Sequence, residues 1–350
     1  MSLLTLLLTL IGLLSPGPSG ATTHRFYGFS PTLTNLSSPD IARMARGGAG
    51  TLRMAIRWNR VQHAQNGAFD WRSTDPVVAE AARQHLQVLP VLAAGTPTWI
   101  APVLTTPPIY SRNPDAAAEW QAFVRAAVAR YGPGGSFWSV HPELPFVPMR
   151  TWEIWNEENG SRTWTGATPS PTAYGRLLTL SDTAIDDVDP QARVMIGGLM
   201  GDPRERSDAV TYLTGLYKIP GIRDHFDAVG LHPYGPSPAD SMTITRNVRS
   251  VMDRHGDAAT PIWITEIGWA SGGTGRVATS LTGQAQNLGN LLSTLSSQRA
   301  ALGVRRVLIY TLTDDPTAPC GWCPHAGLFT AGGVAKPAWK TFVSVAGGQP

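Results

Sequence analysis

Eight times along the chain a short, apolar, β-favouring run gives way to a longer amphipathic one, and that rhythm restricts the fold more than any other feature. The strand-like runs are RFYGFS (25–30), TLRMAI (51–56), LQVLPVLA (86–93), RTWEIWN (150–156), RVMIGG (193–198), FDAVGL (226–231), PIWITE (261–266) and RRVLIYT (305–311). Helical patterns lie near 38–47, 75–84, 114–131, 171–187, 207–217, 241–255, 280–302 and 337–346. Helix starts are marked by N-cap residues, as in SSPD at 37–40 and NPDAAAEW at 113–120. Eight strands, each followed by a helix, is the count of an α/β chain closed as a single (β/α)8 TIM barrel. A doubly wound open sheet would want a glycine-rich turn after its first strand, and GFSPTL offers none. No linker or composition shift divides the chain, and 42% hydrophobic against 15% charged residues suffices for one large core.

The first 22 residues stand apart. Leu3 to Leu14 form a twelve-residue apolar block, followed by Pro, Gly, Ser and small residues. Such a block is too short to cross a bilayer as a helix. It suits the apolar region of a secretory signal with cleavage near Ala21, although no Lys or Arg precedes it. An N-terminal anchor or a disordered apolar tail is the alternative. The expected organisation is therefore a leader over 1–22 and a catalytic barrel over 23–350, secreted, without stable membrane insertion.

In an exported protein the two cysteines, Cys320 and Cys323 in CGWC, are expected to form a structural disulfide. Redox catalysis would want a thioredoxin-like β-α context, and zinc would want further ligands; only His325 lies close. No metal and no cofactor are expected. A net charge of +3 with no basic run gives no footing for nucleic acid. Lysine occurs only at 218, 336 and 340, in loops or helices, so a Schiff-base lysine at a strand end is excluded.

Barrel enzymes build their sites at the C-terminal ends of the strands. Those ends supply Arg53 and Trp58 after strand two, Trp99 after strand three, and Asn156 and Glu157 ending strand four. His232 and Tyr234 follow strand six, Glu266 and Trp269 end strand seven, and Tyr310 lies on strand eight. Two glutamates facing one another across a barrel mouth are equipped to cleave a glycosidic bond: one protonates the leaving oxygen, the other attacks the anomeric carbon or activates water. Asn156 is positioned to bond a sugar 2-hydroxyl. Aromatic rings at Trp58, Trp99, Trp155, Trp269 and Tyr310 suit the apolar faces of pyranose rings, in a chain with 12 tryptophans.

These motifs resemble those of the clan A glycoside hydrolases, the retaining (β/α)8 glycosidases, most closely families 39 and 5. WEIWNEEN resembles the strand-four acid/base motif, ITEIGW the strand-seven nucleophile motif, LHPY the strand-six His-x-Tyr, and KPAW (336–339) the ending after strand eight. Arg53 matches the strand-two arginine found near the nucleophile. The resemblance implies Glu157 as acid/base and Glu266 as nucleophile, with carbohydrate as the partner molecule. Glu158 stands where the motif usually has proline; alternation along the strand selects Glu157 as the residue facing the cleft. A negative charge on Glu266 is expected to raise the pKa of Glu157. Glu153 is read as a structural partner inside the barrel. The rival to an enzyme is a secreted barrel that binds polysaccharide without cutting it, which would keep its tryptophans but dispense with one glutamate.

Overall fold

The computed structural model describes residues 25–31, 36–93, 95–201 and 208–350, so the expected leader lies outside the described residues. Eight parallel strands close in sequence order into a barrel. They are β1 (Tyr27–Phe29), β2 (Thr51–Ala55), β3 (Gln87–Leu92), β4 (Thr151–Ile154), β5 (Arg193–Met200), β6 (Ala228–His232), β7 (Ile262–Ile267) and β8 (Val304–Ile309). The seam is parallel pairing of β1 with β8, Tyr27 opposite Val307 and Phe29 opposite Ile309. All eight expected helices are present, at Ser38–Arg46, Asp75–Arg83, Ala116–Tyr131, Pro171–Asp186, Ala209–Tyr217, Pro238–Arg254, Leu281–Leu302 and Pro337–Ala346. Two short helices, Trp58–Val61 and Ser136–Val140, were not legible in the periodicity.

The helix boundaries follow local chemistry. The Ser37 hydroxyl accepts from the Asp40 amide at 3.3 Å, which satisfies one of the free donors of the first turn. Ser237 and Asp240 form a reciprocal capping box, with each backbone N–H bonded to the other's side chain. Gly303, at φ 63°, ends the 22-residue helix Leu281–Leu302 in the left-handed conformation and turns the chain directly into β8.

Outward-facing strand residues such as Leu52, Ile154, Ile196, Val229 and Ile264 are fully buried beneath the helices. Burial on both faces is why the strands read as continuous apolar runs rather than as alternating ones. Inside the barrel, Leu89, Met195, Ala228 and Leu308 form a separate apolar plug with Trp263 packed on it. Above the plug the interior turns ionic. Arg53 makes a two-pronged pair with Glu153, Nε to Oε2 at 2.7 Å and Nη2 to Oε1 at 2.8 Å, and both side chains are essentially inaccessible to solvent. Glu153 is thus the structural partner that the sequence reading made it. Removing one member of such a pair leaves the other charge buried and uncompensated. Arg53→Leu should therefore lower folding stability by about 3–5 kcal/mol in urea denaturation; a loss comparable to that of an exposed ion pair, under about 1 kcal/mol, would contradict this account of the buried pair.

The fourth strand is shorter than its apolar run suggests. It ends at Ile154, because Trp155 and Glu157 adopt left-handed backbone angles, φ 69° and φ 51°, which leave the ladder. Non-glycine residues seldom adopt this conformation, and it clusters at functional sites.

Candidate active site

Glu266 ends β7 with its carboxylate held from three sides. Arg53 Nη1 donates to Oε1 at 2.6 Å, the Ser30 hydroxyl to the same oxygen at 3.4 Å, and the Tyr234 hydroxyl to Oε2 at 3.1 Å. Burial alone would lower the pKa of Arg53, but Glu153 and Glu266 beside it reverse the effect and hold it above the ordinary arginine value. Burial, and then the charge of Glu266, pushes the Tyr234 hydroxyl well above the ordinary phenol value, so it remains a donor. Three donors thus converge on the Glu266 carboxylate, one of them the permanent cation of Arg53. Nη2 of Arg53, already paired with Glu153, also donates to the Asn156 side-chain oxygen at 2.7 Å, tying the end of β4 to β2.

Glu157 has a different environment. It is 20% exposed and lines the cleft, and its Oε1 lies 2.9 Å from His232 Nδ1. Burial raises its pKa to about 7, against the opposing pull of Arg53. The cause is lost hydration rather than the charge of Glu266, which corrects the mechanism expected from sequence. His232 is itself fully buried, and burial lowers its pKa to about 4, so near neutral pH its partner is an uncharged imidazole. Its second nitrogen lies 3.0 Å from the Thr265 hydroxyl. Gly198 makes room for this ring: a Cβ there would collide with His232 Nε2. The register shift in β5 between Ile196 and Leu199 brings that glycine against the imidazole.

One oxygen of Glu157, one of Glu266 and a nitrogen of His232 all lie within 4.8 Å of one another. They stand at one side of a cleft of about 490 Å³, which Tyr234, Tyr310 and Trp322 also line. That volume falls in the range of small-molecule sites.

Glu158 turns the other way. It is fully buried, and neither carboxylate oxygen has a hydrogen-bond partner. Burial raises its pKa well above the ordinary carboxylate value. The left-handed turn at Glu157, rather than strand alternation, separates the two neighbours, since β4 has already ended. Glu158→Gln, which keeps the shape of a buried side chain that does not line the cleft, should leave turnover within about threefold of wild type. A loss of 100-fold or more, restored by azide, would move the acid/base role to Glu158.

The structure brings Arg53, Asn156, Glu157, His232, Tyr234 and Glu266 together and places Tyr310 on the cleft wall. It does not bring in the tryptophans expected to bind sugar. Trp58 is 2% exposed, stacked on Phe123, with its indole N–H bonded to Gln62; the short helix that begins at Trp58 turns it into the core. Trp99 packs edge-on against Trp58, outside the cleft. Trp269 is 1% exposed and donates to the Gly235 and Pro236 carbonyls, pinning the loop after β7 to the loop after β6. Trp155 is buried with its N–H on the Thr163 carbonyl. The indole that does reach the cleft is Trp322, which the reading of CGWC as a purely structural element passed over. The Sγ atoms of Cys320 and Cys323 are bonded, 2.02 Å apart.

The six site residues from strands two, four, six and seven thus form a paired-glutamate constellation at the mouth of a (β/α)8 barrel. Solved structures with the same fold are available for comparison. A family 39 glycoside hydrolase from the gut symbiont Bacteroides cellulosilyticus WH2 is 17% identical, with a TM-score of 0.69 over 93% of this chain and 64% of that one. A monomeric β-xylosidase from Caulobacter crescentus CB15 is 17% identical, with a TM-score of 0.64 over 91% of this chain and 69% of that one. A family 5 (GH5_18) protein from Bifidobacterium longum subsp. infantis is 13% identical, with a TM-score of 0.66 over 92% and 78%. The structural neighbours therefore include families 39 and 5, the two groups whose motifs the sequence resembles. The chain spans only 64% of the length of the first of these structures. No protein-family model matches the chain, and no curated protein matches it. Among the described residues no helix is long and apolar enough to cross a membrane.

Proposed function

We propose that this protein is a secreted, retaining glycoside hydrolase that works by double displacement, with Glu266 as nucleophile and Glu157 as acid/base. One observation carries the reading: two carboxyl groups have oxygens within 4.8 Å of one another in different environments, Glu266 bonded to the Arg53 guanidinium and Glu157 pushed up to about 7 by burial. Such a difference of environment is how a site assigns acid and nucleophile to chemically identical side chains. Retaining enzymes hold their carboxyl groups about 5–5.5 Å apart, and inverting ones about 6.5–9.5 Å to admit a water. The short approach supports retention.

In the first step a Glu266 oxygen attacks the anomeric carbon, the glycosidic C–O bond breaks, and the Glu157 proton goes to the departing oxygen. In the second, Glu157, now a carboxylate, takes a proton from water. The water oxygen attacks the same carbon from the vacated side, the ester to Glu266 breaks, and both glutamates return to their starting states. Arg53 and Tyr234 hold and aim the Glu266 carboxylate. The neutral His232 bonds Glu157 without placing a fixed cation beside it, which would hold that acid ionised too early. The apolar block at Leu3–Leu14 and the Cys320–Cys323 bond support export.

The test is a panel of 4-nitrophenyl glycosides with purified protein, followed by proton NMR of the first-formed product from whichever glycoside is cleaved. The expected result is turnover with the anomeric configuration retained. Polysaccharide binding without turnover of any glycoside would overturn the reading in favour of a carbohydrate-binding barrel.

A further inference from the structure

We infer that the Cys320–Cys323 ring is a substrate-binding element: it presents Trp322 as an aromatic wall of the cleft, and the disulfide sets that wall's position. The inference rests on the glycosidase reading above and adds to it the residue that selects the sugar. Trp322 lines the cleft that holds Glu157 and Glu266, and both cysteines line it with it. The indole is half-buried, leaning on Tyr234 at 5.2 Å between ring centres and meeting Tyr310 edge-on at 5.8 Å. Its position is therefore referred to the tyrosine that bonds the nucleophile.

Besides the disulfide, the ring that carries Trp322 is held by backbone bonds: the Trp322 carbonyl accepts from the His325 amide at 3.0 Å and the Cys323 carbonyl from that of Ala326 at 3.2 Å. The Gly321 carbonyl accepts from the Thr274 amide at 2.8 Å. Beyond the ring, Gln284 donates to the Ala326 and Gly327 carbonyls and Lys336 to that of His325. Trp322 lies between the two cysteines, so closing the ring fixes the backbone that aims the indole. An indole face at this place suits a pyranose whose ring presents its C–H bonds to it, and disfavours one with an axial hydroxyl on that face. Flat apolar contact supplies affinity, and a hydroxyl pressed against the ring is left without a partner.

The probe is the 4-nitrophenyl glycoside that the wild type turns over fastest. Trp322→Ala should raise KM about tenfold with a smaller change in kcat, and Trp322→Phe should recover most of the loss. A Cys320→Ser/Cys323→Ser double variant should raise KM by several-fold. Dithiothreitol, which gives two electrons and two protons to the disulfide and cyclises, should bring the wild type to the same KM and leave the double variant unmoved. Circular dichroism and the thermal midpoint report folding separately. Unchanged KM in Trp322→Ala, or a dithiothreitol effect on wild-type stability with no effect on KM, would overturn the proposal while leaving the glycosidase reading standing. If the wild type turns over no glycoside in the panel, both fall.

Discussion

Glu266→Gln should lower kcat by roughly 10⁴–10⁶-fold, even on aryl glycosides whose leaving group needs no proton. The loss is that large because an amide cannot form the glycosyl ester, and no other carboxylate can take its place: Glu157 is occupied by its proposed acid/base role, Glu153 is committed to Arg53, and Glu158 is fully buried and does not line the cleft. The variant should fold normally, since the amide oxygen can still accept from Arg53 and Ser30, while the amide N–H can donate to the Tyr234 hydroxyl oxygen in place of the bond that hydroxyl gave to Oε2. Steady-state kinetics on the best 4-nitrophenyl substrate, with circular dichroism as the folding control, give the answer. A loss under about 100-fold would mean that Glu266 only positions or polarises.

Glu157→Ala should behave differently. Protonating the leaving group matters most when that group is a poor one, so unactivated glycosides should lose roughly 10²–10⁴-fold in kcat/KM and activated aryl glycosides much less. Azide, which needs no base, should restore turnover by attacking the glycosyl intermediate and yield a glycosyl azide. The pH profile follows from the sign of the shift. With its pKa raised to about 7, Glu157 is the competent acid below that value and loses its proton above it. Wild-type kcat/KM on an unactivated glycoside should therefore fall as pH rises through about 7, and that alkaline limb should vanish in Glu157→Ala. A limb that survives the substitution belongs to another group, and the acid assignment then fails.

The barrel was legible because its signal is local and repeated: each apolar run and each capped helix declares itself within a few residues, and the closed count of eight leaves little choice of topology. The positions of Glu157 and Glu266 were legible for a related reason, since a strand end in a barrel has only one rim to reach. What lay beyond the sequence is orientation. Trp58, Trp99, Trp155 and Trp269 sit near the rim in sequence, but whether an indole faces the cleft or the core depends on what packs against it from distant segments. Phe123 takes Trp58, and the loop after β6 takes Trp269. Ser30, Thr265 and Gly198 carry no motif at all; their roles exist only where β1, β5 and β7 meet Glu266 and His232. The left-handed turn at Glu157 was equally hidden, so the strand-alternation argument pointed to the cleft-facing residue through a strand that had already ended. CGWC was read for its cysteines, and the tryptophan between them escaped attention because a short closed loop looks like a staple.

The central claim is a covalent bond between the sugar and one particular carboxylate, and trapping that bond tests it most directly. The protein should be incubated with 2-deoxy-2-fluoro glycosides that carry a good leaving group, in the sugar configurations the panel identifies. The fluorine slows both steps, and the leaving group lets the first one proceed. Intact-mass spectrometry should show one added fluoroglycosyl unit, and peptide sequencing should find it on Glu266, within the ITEIGW segment. A fluorosugar attached to Glu157, Glu158 or any residue other than Glu266 would contradict the account.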